Sequence, residues 1–149
     1  MKAGWLRLGM NLWSPFRATG IRVKRIAPDY REIDVELSLK WHNRNYFGTH
    51  FGGSLYAMTD PFYTLMLTHV LGPDYFVSHK GGAIDYLIAT KEKVHARFAL
   101  DEAIIADIKA HTTGGEKYLP QLPVEVKNAA GEVVARVVHT LYVRKKINR

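Results

Sequence analysis

Apolar and polar residues alternate most strictly where Ile33, Val35, Leu37 and Leu39 interleave with Glu32, Asp34, Glu36, Ser38 and Lys40. A period of two puts one face of a strand on a core and the other in water. Ile21, Val23 and Ile26 alternate with Arg22, Lys24 and Arg25 to give an earlier strand, with Pro28-Asp29-Tyr30 as the turn between them. Residues 83–90 and 93–100 predict two more strands, with residues 77–82, containing Ser78, His79 and Lys80, as the loop before them. Val124 and Val126, an Asn128 to Gly131 turn, and the run Val133, Ala135, Val137, His139, Leu141 and Val143 predict the last two.

The period changes in three places. From about Gly52 to Leu71 almost no polar stripe is left, and a helix that is apolar nearly all round is buried on most sides. Residues 101–112 predict a second, shorter helix, capped by Asp101 and stopped before Gly114-Gly115. Near the start, Leu6, Met10 and Trp13 fit helical spacing and predict a short helix docked on the domain or on a neighbouring subunit, with Ser14, Pro15 and Gly20 marking its exit. About six strands around one long helix define an α+β domain in which an antiparallel sheet wraps that helix. The chain of 149 residues is long enough for one such domain, residues 1–149, and no longer.

Between the second strand and the long helix lies a stretch with no periodicity, Trp41 to Phe51, rich in Asn, Gly and His. It opens through Gly52-Gly53 into the helix, which carries one acid, Asp60, where the flanking pattern predicts burial. A lone carboxylate in apolar surroundings costs several kcal/mol unless paired or neutralised, so Asp60 is a candidate site residue. The residue after it is Pro61, which allows a plainer reading: Asp60 as the N-cap of a helix that begins at the proline.

Composition narrows the function classes. A hydrophobic fraction of 47% and a charged fraction of 23% are those of a globular protein. The absence of cysteine excludes a thiolate metal site and a cysteine nucleophile, and the spacing of the seven histidines predicts no metal site. A net charge of +7 favours an anionic partner: nucleic acid, a membrane surface or a phosphate-bearing small ligand. No nucleic-acid motif surrounds the basic residues, no stretch has the length and apolarity to span a bilayer, and a cytoplasmic protein is expected. Glycine-rich dinucleotide, phosphate-loop and GxSxG signatures are absent, and no cofactor is expected.

The series Asn45, Gly48, Gly52, Gly53 and Asp60, with Asp85-Tyr86 further on, resembles the hotdog-fold superfamily. Within it, the resemblance is to the phenylacetate-type acyl-CoA thioesterases and to a related bacterial family of unassigned function, and it spans residues 11–143. It implies a homodimer, or a dimer of dimers, whose sheets join edge to edge and whose sites lie between subunits. The substrate it implies is an acyl-CoA or acyl-carrier thioester. In that pattern Asp60 acts as general base or nucleophile, Gly53 and its neighbours present backbone N–H groups to the thioester oxygen, and Asn45 positions the reacting group. His50, Phe51, Gly52, Tyr56, Tyr63 and Asp85 would then bind substrate. One position departs from the pattern: the thioesterases carry a histidine directly before the paired glycines, and here that residue is Phe51, with His50 one earlier. A non-catalytic binder of acyl-CoA or lipid is the alternative consistent with that departure.

Overall fold

The computed structural model describes residues 1–147. Its elements are α1 (Ala3–Leu12), α2 (Ser14–Thr19), β1 (Ile21–Ile26), β2 (Glu32–Leu37), α3 (Gly52–Ala57), α4 (Phe62–Leu71), β3 (Tyr75–Tyr86), β4 (Val94–Ala99), α5 (Glu102–His111), β5 (Lys117–Tyr118), β6 (Gln121–Lys127) and β7 (Val133–Lys145). The strands form one antiparallel sheet in the order β1-β2-β4-β6-β7-β3, with the short β5 also on β7. Burial follows the alternation: Ile33, Val35 and Leu37 of β2, Val94, Ala96 and Phe98 of β4, and Val137, Leu141 and Val143 of β7 all face the core. Phe62, Met66 and Leu67 of α4 fill the concave side of the sheet, so the sheet wraps a helix as expected, in the hotdog arrangement.

Local features around the central helix and β3 depart from the sequence reading. The central helix occupies the expected span but in two pieces, with residues 58–61 as a turn between them. Pro61 lacks the N–H that would continue the ladder and stands as N-cap of α4, whose first-turn bond runs from the Leu65 N–H to the Pro61 carbonyl at 3.0 Å. Residues 77–82, expected as a loop, belong to β3, which starts at Tyr75 and pairs with β7 throughout. A register irregularity between His79 and Gly81 absorbs the glycine pair, and β7 supplies the ladder that local composition does not suggest. Residues 87–90, expected as strand, lie beyond its end at Tyr86.

At the N-terminus Met10 is buried and Leu6 packs against the core, but Trp13 is turned out, and past the exit marked by Ser14 and Pro15 the residues Ser14 to Thr19 form a second helical segment. α1 lies along β1, held by the Asn11 amide: its Oδ1 accepts from the Val23 N–H at 2.8 Å and its Nδ2 donates to the Val23 carbonyl at 3.0 Å. The Tyr30 hydroxyl donates to the Met1 carbonyl at 2.8 Å and closes the other end of the helix. No helix among the described residues is long and apolar enough to cross a membrane.

Candidate functional site

The loop before α3 is organised by Asn45. Its Oδ1 accepts from the Phe47 and Thr49 N–H groups, each at 3.0 Å, and its Nδ2 donates to Thr49 Oγ1 at 2.9 Å and to the His50 carbonyl at 3.1 Å. Four bonds within five residues fix the loop and leave the amide committed to it. His50 is buried; its Nε2 lies 2.7 Å from the Glu92 carbonyl, and burial lowers its pKa against the smaller opposing effect of that bond. Both residues thus position the chain that delivers Gly52-Gly53.

The two glycines begin α3, where the first N–H groups have no helical acceptor. A side chain at Gly52 would meet the ring of Tyr86 at 2.9 Å, and one at Gly53 would meet the ring of Phe51 at 2.5 Å. Only glycine lets both aromatic rings close on this backbone. Asn45, His50, Gly52, Tyr86, Leu87 and Thr90 line a cleft of about 280 Å³ at this end of α3. Asp85, beside Tyr86, is exposed on β3 and paired in register with Arg136.

Asp60 lies past the other end of α3, a helix about 9 Å long, in the turn of residues 58–61. It is not the helix cap: α4 has no side-chain cap bond, and its N-cap residue is Pro61. Nor is it buried, since 46% of its side chain is exposed. The break in the helix carries the carboxylate out of the apolar core, which resolves the cost that a buried acid would have imposed. Its Oδ1 lies 3.1 Å from His79 Nδ1. Among the described residues Oδ2 makes no hydrogen bond or ion pair.

His79 is the first member of a row that sequence reading missed. His79 Nε2 lies 3.1 Å from His139 Nδ1, and His139 Nε2 lies 3.0 Å from Thr59 Oγ1. Thr59 in turn donates to the Tyr56 carbonyl at 2.8 Å. Hydrogen-bond direction assigns the protons. With its own hydrogen on the Tyr56 carbonyl, Thr59 Oγ1 accepts from His139 Nε2–H, so His139 Nδ1 is unprotonated and accepts from His79 Nε2–H. A single further proton, between His79 Nδ1 and Asp60 Oδ1, completes the row. Burial above all, then the charge of His79, and against the opposing Asp60, lowers the His139 pKa to about 4, in keeping with a neutral ring.

Tyr56 leans over this row, its ring 5.6 Å from that of His139, and burial followed by the Asp60 charge raises its pKa. A side chain at Gly82 would collide with the Tyr56 hydroxyl and approach His139 Nδ1 to 3.3 Å. Tyr63 is turned away: its hydroxyl donates to the Pro123 carbonyl at 2.7 Å, and burial pushes its pKa up to about 12. Among the described residues no three His, Asp or Glu side chains converge as metal ligands, because Asp60, His79 and His139 are bonded in a row.

One signal for His139 was visible: it holds an inward position in the alternation of β7, where every neighbour of the same parity is apolar. His79 gave none, because its segment does not read as a strand.

The chain therefore holds two separate clusters, a glycine loop with open N–H groups and an acid with a histidine row, in a hotdog domain. The chain belongs to the DUF4442 family, a domain of unknown function, whose profile matches residues 3–143. No curated protein matches it. Among solved structures it is similar to PA5026 of Pseudomonas aeruginosa, a protein of unknown function named a probable thioesterase (TM-score 0.82, 16% identity, 97% of each chain). It is also similar to thioesterase HI1161 of Haemophilus influenzae (TM-score 0.69, 15% identity, 100% of this chain and 94% of that one). A third is a mutant of the phenylacetic acid degradation protein PaaI of Thermus thermophilus (TM-score 0.59, 23% identity, 85% and 96%). At these identities the likeness is one of fold.

Proposed function

We propose that the chain is a cytoplasmic thioesterase that hydrolyses acyl-CoA or acyl-carrier thioesters in a site completed by a second copy of itself. The observation that carries this reading is the partly exposed Asp60 carboxylate, held through Oδ1 by His79, with no hydrogen bond or ion pair at Oδ2 among the described residues. The named thioesterases among the structural neighbours support it, and the charge of +7 suits a polyanionic thiol carrier. Among the described residues β3 has a ladder partner on one side only, which leaves an edge for the β3 of a second copy, and the proposed site sets the glycine loop of one protomer against the Asp60 of the other.

The chemistry follows from those groups. Water adds through oxygen to the thioester carbonyl carbon while Asp60 Oδ2 takes its proton. The carbonyl oxygen becomes negative and is received by the N–H groups of Phe51, Gly52 and Gly53, already oriented by the Asn45 loop. Collapse breaks the C–S bond, and the proton passes from Asp60 to the departing thiolate, giving a carboxylic acid and a thiol. His79 holds the carboxylate in place through this cycle, with His139 and Thr59 fixing the imidazole.

The test is steady-state hydrolysis across a panel of acyl-CoAs for the wild type, Asp60→Asn and His79→Ala. Loss of roughly 100-fold or more in kcat for Asp60→Asn is expected, with a smaller loss for His79→Ala. Unchanged turnover in Asp60→Asn removes Asp60 from the mechanism. A binder is the second reading, favoured by the exposed Phe51 ring over Gly53. Calorimetric binding of intact thioester with no thiol released over hours would select it.

A further inference from the structure

We propose that α1 and α2 form a docking face for an anionic lipid bilayer surface. This inference does not depend on the thioesterase reading. Trp5, Leu8 and Leu12 project from one side of α1 at helical spacing, and Trp13 follows. All four are exposed, Trp5 at 68% and Trp13 at 53%. The helix cannot roll to bury them. Its other side is fixed to β1 by the paired Asn11–Val23 bonds, by Arg7 Nη1 on the Lys24 carbonyl at 3.1 Å and by buried Met10.

Charge is arranged around this stripe with one sign. Residues 1–28 contain Lys2, Arg7, Arg17, Arg22, Lys24 and Arg25 and not one Asp or Glu. Beside Leu8, the side chains of Arg7, Arg17, Arg22 and Lys40 line a cleft of about 460 Å³ with Asn11 at its wall. Among the described residues none of these four cations is in an ion pair, whereas Lys24 and Arg25 on the same sheet edge are matched by Glu36, Glu32 and Asp34. An apolar stripe with tryptophans, flanked by unmatched cations, suits the boundary between lipid headgroups and acyl chains. The cleft would take a lipid phosphate. A helix of ten residues is about 15 Å long and lies along such a surface instead of crossing it.

A second copy of the chain is the poorer occupant, because a two-fold contact would set Arg7, Arg17 and Arg22 against themselves. The face is also remote from β3, since β1 and β3 are the opposite ends of the sheet order.

The full chain is tested by co-sedimentation with vesicles of phosphatidylcholine, with and without phosphatidylglycerol, at low and high salt. Binding is expected only with phosphatidylglycerol, falling as salt rises, with a blue shift of tryptophan emission. Trp5→Glu should lower partitioning at least about tenfold, and Arg17→Gln and Arg22→Gln about fivefold each. The two arginine variants alter only exposed side chains, so they test the proposal even if Trp5→Glu unfolds. Absence of vesicle binding overturns the proposal. So does equal binding to neutral vesicles, or binding unchanged by the arginine substitutions. Binding to an oligonucleotide but not to vesicles, or a Trp5→Glu variant that dissociates an oligomer in sedimentation, overturns it in favour of another partner. Hydrolysis measured on soluble acyl-CoA is expected to stay unchanged in all three variants, so this test fails or succeeds separately from the catalytic one.

Discussion

The two outer strands of the sheet meet their surroundings in opposite ways. β1 is finished within the chain: α1 lies over it, and the Asn11 side chain bonds the Val23 N–H and carbonyl as a neighbouring strand would. β3 is twice as long, twelve residues against six, and among the described residues has only β7 beside it. Phe76 and Tyr86 on it, and Leu87 and Ile88 just after it, are exposed. Long uncovered edges invite pairing and are normally blunted unless pairing is their purpose. The candidate site groups cluster at the uncovered edge, through His79, Gly82 and Tyr86, and the covered edge has none of them.

Breaking the contrast should have its largest effect at β3. Ala83 is exposed there, and Ala83→Asp would add one carboxylate from each copy to a β3 to β3 seam that already carries Asp85 from each. We expect sedimentation to report a monomer, and thioester hydrolysis to fall by roughly 100-fold or more. Retention of both the dimer and the activity would place the subunit contact elsewhere.

Acidification comes next. His139 is held neutral in the fold with a pKa of about 4, below its ordinary 6.5, so between those values the unfolded chain binds the extra proton and the folded chain does not. Stability is therefore fully present above pH 6.5 and is lost as pH falls towards 4, by up to about 1.4 kcal/mol per unit for one group. His50, lowered by burial, acts in the same direction. Denaturant midpoints across that range should show the slope, and His139→Gln should flatten it.

A smaller effect is expected from Gly82→Ala, whose new methyl group meets the Tyr56 hydroxyl and nears His139. Overpacking of this kind costs about 1–3 kcal/mol, visible as a lowered melting temperature. The smallest belongs to the covered edge. Asn11→Ala exposes two β1 backbone groups to water at a cost of about 1 kcal/mol, and sedimentation should show no change in assembly. If Asn11→Ala altered assembly and Ala83→Asp did not, the roles of the two edges would be exchanged.

Much of this was legible in the residues. The alternation in β2, β4 and β7 and the apolar run from Leu55 to Leu71 specify a sheet around a helix, because one buried face per element dictates their periods. Pro61 announced the break. β3 was not legible over residues 77–82, since an edge strand is stabilised by backbone bonds to a partner fifty residues or more along the chain, and Ser78, His79, Lys80, Gly81 and Gly82 carry no period of their own. That gap hid the site. With the segment taken for a loop, nothing indicated that His79 and His139 would stand side by side, or that Asp60 would have a partner at all. The Asn45 loop shows the reverse limit: the spacing marked a special loop, but only the four bonds of its amide show that Asn45 holds the loop together.

The amide of Asn11 has one more implication. A sheet whose two edges were both open could add copies without end, as fibres do. Here one edge is covered by α1, with the Asn11 amide on Val23, so strand addition would have a valence of one: whatever joined at β3 would complete the sheet. An assembly built on β3 would stop growing by stoichiometry, because α1 lying along β1 leaves no second open edge for another copy to extend.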